Sequence, residues 1–122
     1  MNTLQNKTIF VVEDDAFNLA IIRTILRRQG ASAPFDHWGD NTLSRILKFS
    51  TRLDMILLDL MLPDNISGHD IFESIRTQPS LEGVPVVAVS AADPSVEIPR
   101  TKEMGFSGFI SKPIKHNLLP KQ

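Results

Sequence analysis

The chain has 122 residues, enough for one hydrophobic core of ordinary size and too few for two. Its 42% apolar and 22% charged residues are the make-up of a globular protein in water. The apolar runs fall short of the roughly 20 residues that a membrane-crossing helix needs, and the lack of cysteine excludes disulfides, Cys-based zinc sites and thiol nucleophiles. A net charge of -1 provides no long-range pull on nucleic acid, so direct nucleic-acid binding is not expected, nor is a membrane partner.

Met1 to Thr8 is polar and has no apolar core of the signal-peptide kind, which leads to the expectation of a cytoplasmic chain. Ile9-Phe10-Val11-Val12 is a short continuous apolar run that closes at Glu13-Asp14-Asp15, the pattern of a strand buried on both faces. A helix is predicted from Ala16 to Gln29. Phe17, Ile21 and Ile25 recur at i+4 with Ile22 and Leu26 beside them, Arg23, Arg27 and Arg28 face water, and Gly30 is the stop. Ala31 to Phe35 is a weak second strand, confined to an edge because Pro34 has no N–H to give to a ladder.

Asp40 is placed to cap a second helix running to Phe49, with Leu43, Ile46 and Leu47 on its buried side. Met55-Ile56-Leu57-Leu58 is the clearest strand and ends at Asp59. Pro63 to Gly68 reads as a turn-rich loop, and Gly68 to Thr77 as a helix with Ile71, Phe72 and Ile75 inward. Val84 to Val89 is a fourth strand that delivers Ser90. Pro94 and Pro99 limit the next helix to a short piece near Arg100 to Met104, and Gly108 to Ser111 is a last strand followed by Lys112-Pro113. Five strands alternating with helices imply a parallel sheet with right-handed crossovers, covered on both faces, in one domain over residues 1–122.

Glu13 and Asp14, Asp59, Ser90 and Lys112 all fall at the ends of strands. In an open parallel sheet the carboxyl ends of the strands face one crevice, so these residues should meet. Acidic residues after a strand also cap the helix that follows, and a lone Ser or Lys there is often solvated loop. Three carboxylates together repel one another and raise their own pKa values unless a cation sits among them. With no paired His or Cys in the set, Mg²⁺ is the matching cation, and Lys112 adds a positive charge opposite it. His37, His69 and His116 lack metal-ligand spacing and are expected in ordinary surface roles, and Trp38 in loop packing.

Val11-Val12-Glu13-Asp14-Asp15, Leu57-Leu58-Asp59-Leu60-Met61-Leu62-Pro63, Val89-Ser90-Ala91-Ala92 and Gly108-Phe109-Ile110-Ser111-Lys112-Pro113 together resemble the receiver domains of two-component response regulators, over Lys7 to Ile114. The resemblance implies an α/β flavodoxin-like fold, a doubly wound five-stranded parallel sheet in the order 2-1-3-4-5. It implies that Asp59 accepts a phosphoryl group from a histidine kinase or histidine phosphotransfer protein. Glu13, Asp14, Asp59 and the backbone carbonyl of Met61 would hold Mg²⁺. Lys112 would neutralise phosphoryl charge, and Ser90 would donate a hydrogen bond to the phosphoryl group. Phe109 matches the family's switch aromatic, though an ordinary buried strand residue is the alternative. The Lys112-Pro113 bond would be cis as in the family.

Departures from the family pattern carry their own expectations. Gly68 stands one residue later than in most relatives, which suggests an insertion within Asp64-Asn65-Ile66-Ser67. Met61 and Ala92, two residues after Asp59 and Ser90, cannot polarise water, so self-dephosphorylation should be slow. Only nine residues follow Pro113, with Pro120 among them, so the fifth helix should be truncated or missing, Ile114, Leu118 and Leu119 making about one turn. The exposed face would then be covered by a continuation of the chain or by a second subunit in a homodimer. The output would pass to a downstream protein target. Rival readings are a pseudo-receiver working without phosphorylation and a phosphohydrolase with Asp59 as transient nucleophile, which lacks a general acid at Met61. A nucleotide-binding enzyme would need the glycine-rich phosphate loop that is missing after the first strand.

Overall fold

The computed structural model describes residues 3–39, 41–62 and 66–112. Strand β1 (Ile9–Val12) is buried at every position, as a strand covered on both faces must be. Asp15 then caps α1 (Ala16–Arg28): its carboxylate accepts from the N–H groups of Phe17 at 2.8 Å and Asn18 at 3.2 Å, satisfying donors that the first turn leaves without partners. The helix ends before Gly30, whose φ of +94° suits glycine and where a Cβ would meet Gln5 Cα at 2.9 Å. Ile22, Ile25 and Leu26 are buried as expected. Phe17, assigned to the same stripe, is instead 73% exposed, because the first turn stands at the carboxyl end of β1 before the helix lies over the sheet.

The second strand is shorter and later than expected. Ser32 and Pro34 carbonyls accept from Ile9 and Val11 N–H groups, so 31–34 runs along β1, but Pro34 returns no donor and the ladder forms only at β2 (Phe35–Asp36). After α2 (Thr42–Lys48) comes β3 (Met55–Asp59), then α3 (Gly68–Arg76), a 3₁₀ turn at Pro79–Leu81 that the periodicity did not suggest, and β4 (Val86–Ser90). β4 begins after Pro85, which serves the sheet only as an acceptor, for Ile56 N–H at 3.0 Å.

The fourth helix corrects the sequence reading most clearly, since α4 spans Pro94–Met104 rather than its last five residues. Pro94 sits in the first turn, where its missing N–H costs nothing. Asp93 accepts from Ser95 N–H at 3.0 Å, and Gly105 closes the helix at φ +106°. Phe106 N–H then donates to Thr101 O, and its ring stacks on Phe72 at 4.0 Å between centroids. With both ends fixed, the loss of one backbone bond at Pro99 does not stop the helix. β5 (Gly108–Ser111) completes the sheet, and the strand order is β2-β1-β3-β4-β5, all parallel.

Side-chain alternation along the strands divides the interior in two. Phe10, Val12, Ile56 and Leu58 point to one face, against Ile46 of α2 and Ile71, Phe72 and Ile75 of α3. Val11, Leu57, Val87 and Ile110 point to the other, against Ile22, Ile25 and Leu26 of α1. Asp40 as a cap, Asp64 and Asn65 of the suggested insertion, the Lys112–Pro113 bond expected to be cis, His116 and the fifth helix expected to be truncated or missing all lie outside the described residues.

Candidate functional site

Because all five strands are parallel, their carboxyl ends share one edge, and the strand order reverses between β1 and β3. The register pairs Val12 with Leu58, which sets Glu13 beside Asp59. It also pairs Ser90 with Ser111, and Lys112 N–H donates to Ser90 O at 2.9 Å, so the lysine leaves the sheet next to the serine. Glu13, Asp14, Asp15, Asp59, Met61, Leu62 and Lys112 thereby line one pocket of about 380 Å³.

Asp59 is 4% exposed. Its Oδ1 accepts from Met61 N–H at 2.9 Å and its Oδ2 from Lys112 Nζ at 3.1 Å, so both oxygens are held in place. Lys112 Nζ also donates to Glu13 Oε2 at 3.4 Å and lies 3.1 Å from Oε1, which is buried and takes no hydrogen bond among the described residues. Two buried carboxylates thus share one ammonium. Burial, and then the neighbouring Asp59, push the Glu13 carboxyl up to about 7 despite the opposing pull of Lys112. Burial disfavours the charged ammonium of Lys112, but Asp59 and Glu13 outweigh it and the lysine is held above its ordinary value.

This is the electrostatic deficit that a divalent cation relieves. An all-oxygen donor set with one buried carboxylate oxygen lacking a partner fits Mg²⁺, which keeps several waters and needs few protein ligands. Among the described residues no three His, Cys, Asp or Glu side chains are gathered closely enough to hold an ion by themselves. Asp14 lines the pocket but is exposed, in contrast to Glu13. Met61 turns its N–H to Asp59, and its side chain is 67% exposed.

Ser90 is buried at the end of β4, and its hydroxyl accepts from Ala92 N–H at 3.0 Å, leaving its own hydrogen to donate. Phe109 is half-buried and packs against the core on the α2 and α3 side. His37 is at the surface as expected, 3.4 Å from Asp36, and Trp38 packs partly against the core. His69, expected at the surface, is instead buried beside Glu97. The signal was its position three residues before Phe72, on the inward stripe of α3. Gly68 was read only as a boundary, yet a Cβ there would lie 2.5 Å from Leu60 Cα and 2.7 Å from Asp59 O, so α3 packs directly on the backbone of Asp59.

The family model for the response regulator receiver domain matches residues 9–122. The DNA-binding response regulator MtrA of Mycobacterium tuberculosis is 33% identical over 115 residues, covering 94% of this chain and 47% of MtrA, so the chain spans about half the length of that curated relative. The polar-differentiation response regulator DivK of Brucella anthropi is 30% identical over 108 residues, 88% of this chain and 85% of DivK. Among solved structures, the Vibrio cholerae chemotaxis protein CheY4 superposes with a TM-score of 0.82 at 20% identity, covering 94% of this chain and 93% of that one, which establishes the shared fold. The BeF3-activated N-terminal receiver domain of Klebsiella pneumoniae RstA has a TM-score of 0.75 at 27% identity, covering 89% and 88%. A family match over most of the residues, a relative matched across most of both chains and a common strand order support one assignment: the chain belongs to the response regulator receiver domains.

Proposed function

We propose that this single domain accepts a phosphoryl group on Asp59 from the phosphohistidine of a histidine kinase or histidine phosphotransfer protein, and passes the signal on through a protein-interaction surface. Receiver domains are components of two-component signalling, are not enzymes in the ordinary sense, and are in general phosphorylated with the help of Mg²⁺. The observation that carries the assignment to Asp59 is its burial at the strand-order reversal, with Lys112 3.1 Å from Oδ2 and Glu13 alongside.

A carboxylate oxygen of Asp59 attacks phosphorus, the O–P bond forms, the N–P bond of the donor breaks, and its electron pair returns to the imidazole. Lys112 moves no proton; it stands ready to pair with a phosphoryl oxygen as charge develops there. Ser90 donates its hydroxyl hydrogen to another phosphoryl oxygen, and space given up by Ser90 would let Phe109 move inward. Glu13, Asp14, Asp59 and the Met61 carbonyl would hold Mg²⁺, which when bound screens the carboxylates and the phosphoryl oxygens. With ATP as the phosphoryl source of the histidine kinase, the proposal extends to a cytoplasmic location.

The test is phosphotransfer from candidate kinases, or labelling by acetyl phosphate, on wild type and Asp59→Ala with and without Mg²⁺. Labelling should need both Asp59 and the metal, and mass spectrometry that locates the phosphate elsewhere would overturn the assignment. The exposed thioether of Met61 and the methyl of Ala92 give a water no hydrogen-bonding partner, so the acyl phosphate should persist for many minutes. A half-life of seconds in the purified protein would contradict this.

A further inference from the structure

α4 is docked by polar side chains. The two it buries are Glu97 and Thr101, whereas Val96 and Ile98 are 60% and 46% exposed. A helix without a buried apolar stripe gains little from packing and belongs to the easily opened part of a fold. Its buried carboxylate faces His69, the second residue of α3: Nε2 lies 3.4 Å from Glu97 Oε2. The geometry is too poor for a hydrogen bond, and among the described residues Nε2 has no other partner. Arg100, more than half exposed, stands 3.6 Å from Glu97 Oε1 and offers that carboxylate an alternative pairing nearer water.

Both ends of this contact lead back to the phosphorylation pocket. His69 Nδ1 is 3.1 Å from Ser67 Oγ, Ser67 is bridged to Met61, and Met61 N–H donates to Asp59 Oδ1. From the other side, Ser90 Oγ accepts from Ala92 N–H, and Asp93 caps α4. Only three residues separate Ser90 from the start of the helix.

We propose that the His69–Glu97 contact is a latch, made while Asp59 is unmodified and given up when a phosphoryl group occupies the pocket; this rests on Asp59 being the phosphoacceptor. Turning the Ser90 hydroxyl toward a phosphoryl oxygen disturbs its bond from Ala92 and displaces the first turn of α4, where Glu97 sits. A contact already stretched to 3.4 Å is lost at a small displacement, and Glu97 then keeps Arg100 as partner. Breaking the latch in advance removes part of the cost of the transition, so by linkage a latch-free variant binds a phosphoryl mimic more tightly.

Glu97→Met keeps the length of the side chain and removes its charge and its hydrogen-bonding atoms; His69→Leu removes the imidazole from the other side and serves if the first variant does not fold. Amide hydrogen exchange with and without Mg²⁺ and beryllofluoride, together with a beryllofluoride titration followed by amide shifts, reads the effect. In the free variant the amides of Glu97 to Met104, Pro99 aside, should exchange about 5-fold faster than in wild type. That difference should vanish with beryllofluoride bound, and the mimic should bind about 3- to 10-fold more tightly. Equal acceleration in both states, or unchanged affinity, overturns the latch while wild-type binding leaves the phosphoacceptor reading standing. A wild type that does not bind beryllofluoride overturns both.

Discussion

Lys112 stands between two buried carboxylates, and its removal tests how the pocket is balanced. Lys112→Ala leaves Glu13 and Asp59 without their shared cation at side-chain exposures of 1% and 5%. Breaking a buried ion pair from one side typically costs about 3–5 kcal/mol, and this one should lie at the low end because water can enter the pocket. Asp59→Asn in the same chain removes one of the two charges that repel, so the double variant should regain part of the loss. Urea midpoints of the four proteins without metal form the cycle that checks it; purely additive losses would show that the three groups are not coupled. The convergence was legible in the sequence because apolar runs stop abruptly at Glu13, Asp59, Ser90 and Lys112, and parallel strands put their ends together. Phe17 was not: it continues the apolar stripe of α1 yet is exposed, and periodicity alone cannot tell where a helix begins to cover the sheet; His69 stood on the inward stripe of α3, but its polar side chain pointed to the surface reading.

At the scale of elements, the close approach of α3 to β3 makes Gly68 a strict requirement. Gly68→Ala brings a methyl to 2.5 Å from Leu60 Cα, where backbone must move, so a loss of about 1–3 kcal/mol is expected together with slower labelling of Asp59. Chemical denaturation and acetyl-phosphate kinetics on the same variant measure the two effects. The α4 cap is sensitive to pH. Hydrogen bonds from Ser95, through its hydroxyl at 2.8 Å and its N–H at 3.0 Å, hold the Asp93 carboxyl below its ordinary value. The unfolded chain therefore binds this proton more readily, so the cap contributes fully above the ordinary value of 3.8 and is lost as pH falls through the depressed one. Wild type and Asp93→Ala should differ in thermal midpoint at pH 6 and draw together as pH falls below 3.8; a gap independent of pH would mean that charge at the cap is irrelevant. The strands were more legible than α4, because a proline inside a helix marks a local loss whereas both compensations, the Asp93 cap and the Phe106 anchor, lie outside the pattern being read. β2 was displaced for a related reason: Pro34 accepts from Val11 but cannot donate, so the chain follows β1 before it becomes a ladder.

For the whole molecule, alternation of short apolar runs with helical stretches is sufficient to require a parallel sheet covered on both sides, but not to order its strands. The order 2-1-3-4-5 entered through the resemblance of four motifs, since handedness of crossovers leaves several arrangements open. Among the described residues the sheet separates two cores with no side chain in common, and this has a measurable consequence. Ile22 of α1 is buried on one face and Ile75 of α3 on the other, at 1% and 0% exposure. Each Ile→Val substitution deletes one methylene and should cost about 0.5–1.5 kcal/mol. Because the two sites lie on opposite sides of the sheet with no common partners, the double variant should lose the sum of the single losses to within about 0.5 kcal/mol. Guanidinium unfolding of the four proteins, with unchanged slopes, makes the comparison. A coupling beyond that margin would mean that strain at one face passes through the strands to the other, and that the sheet is less rigid than its five paired strands imply.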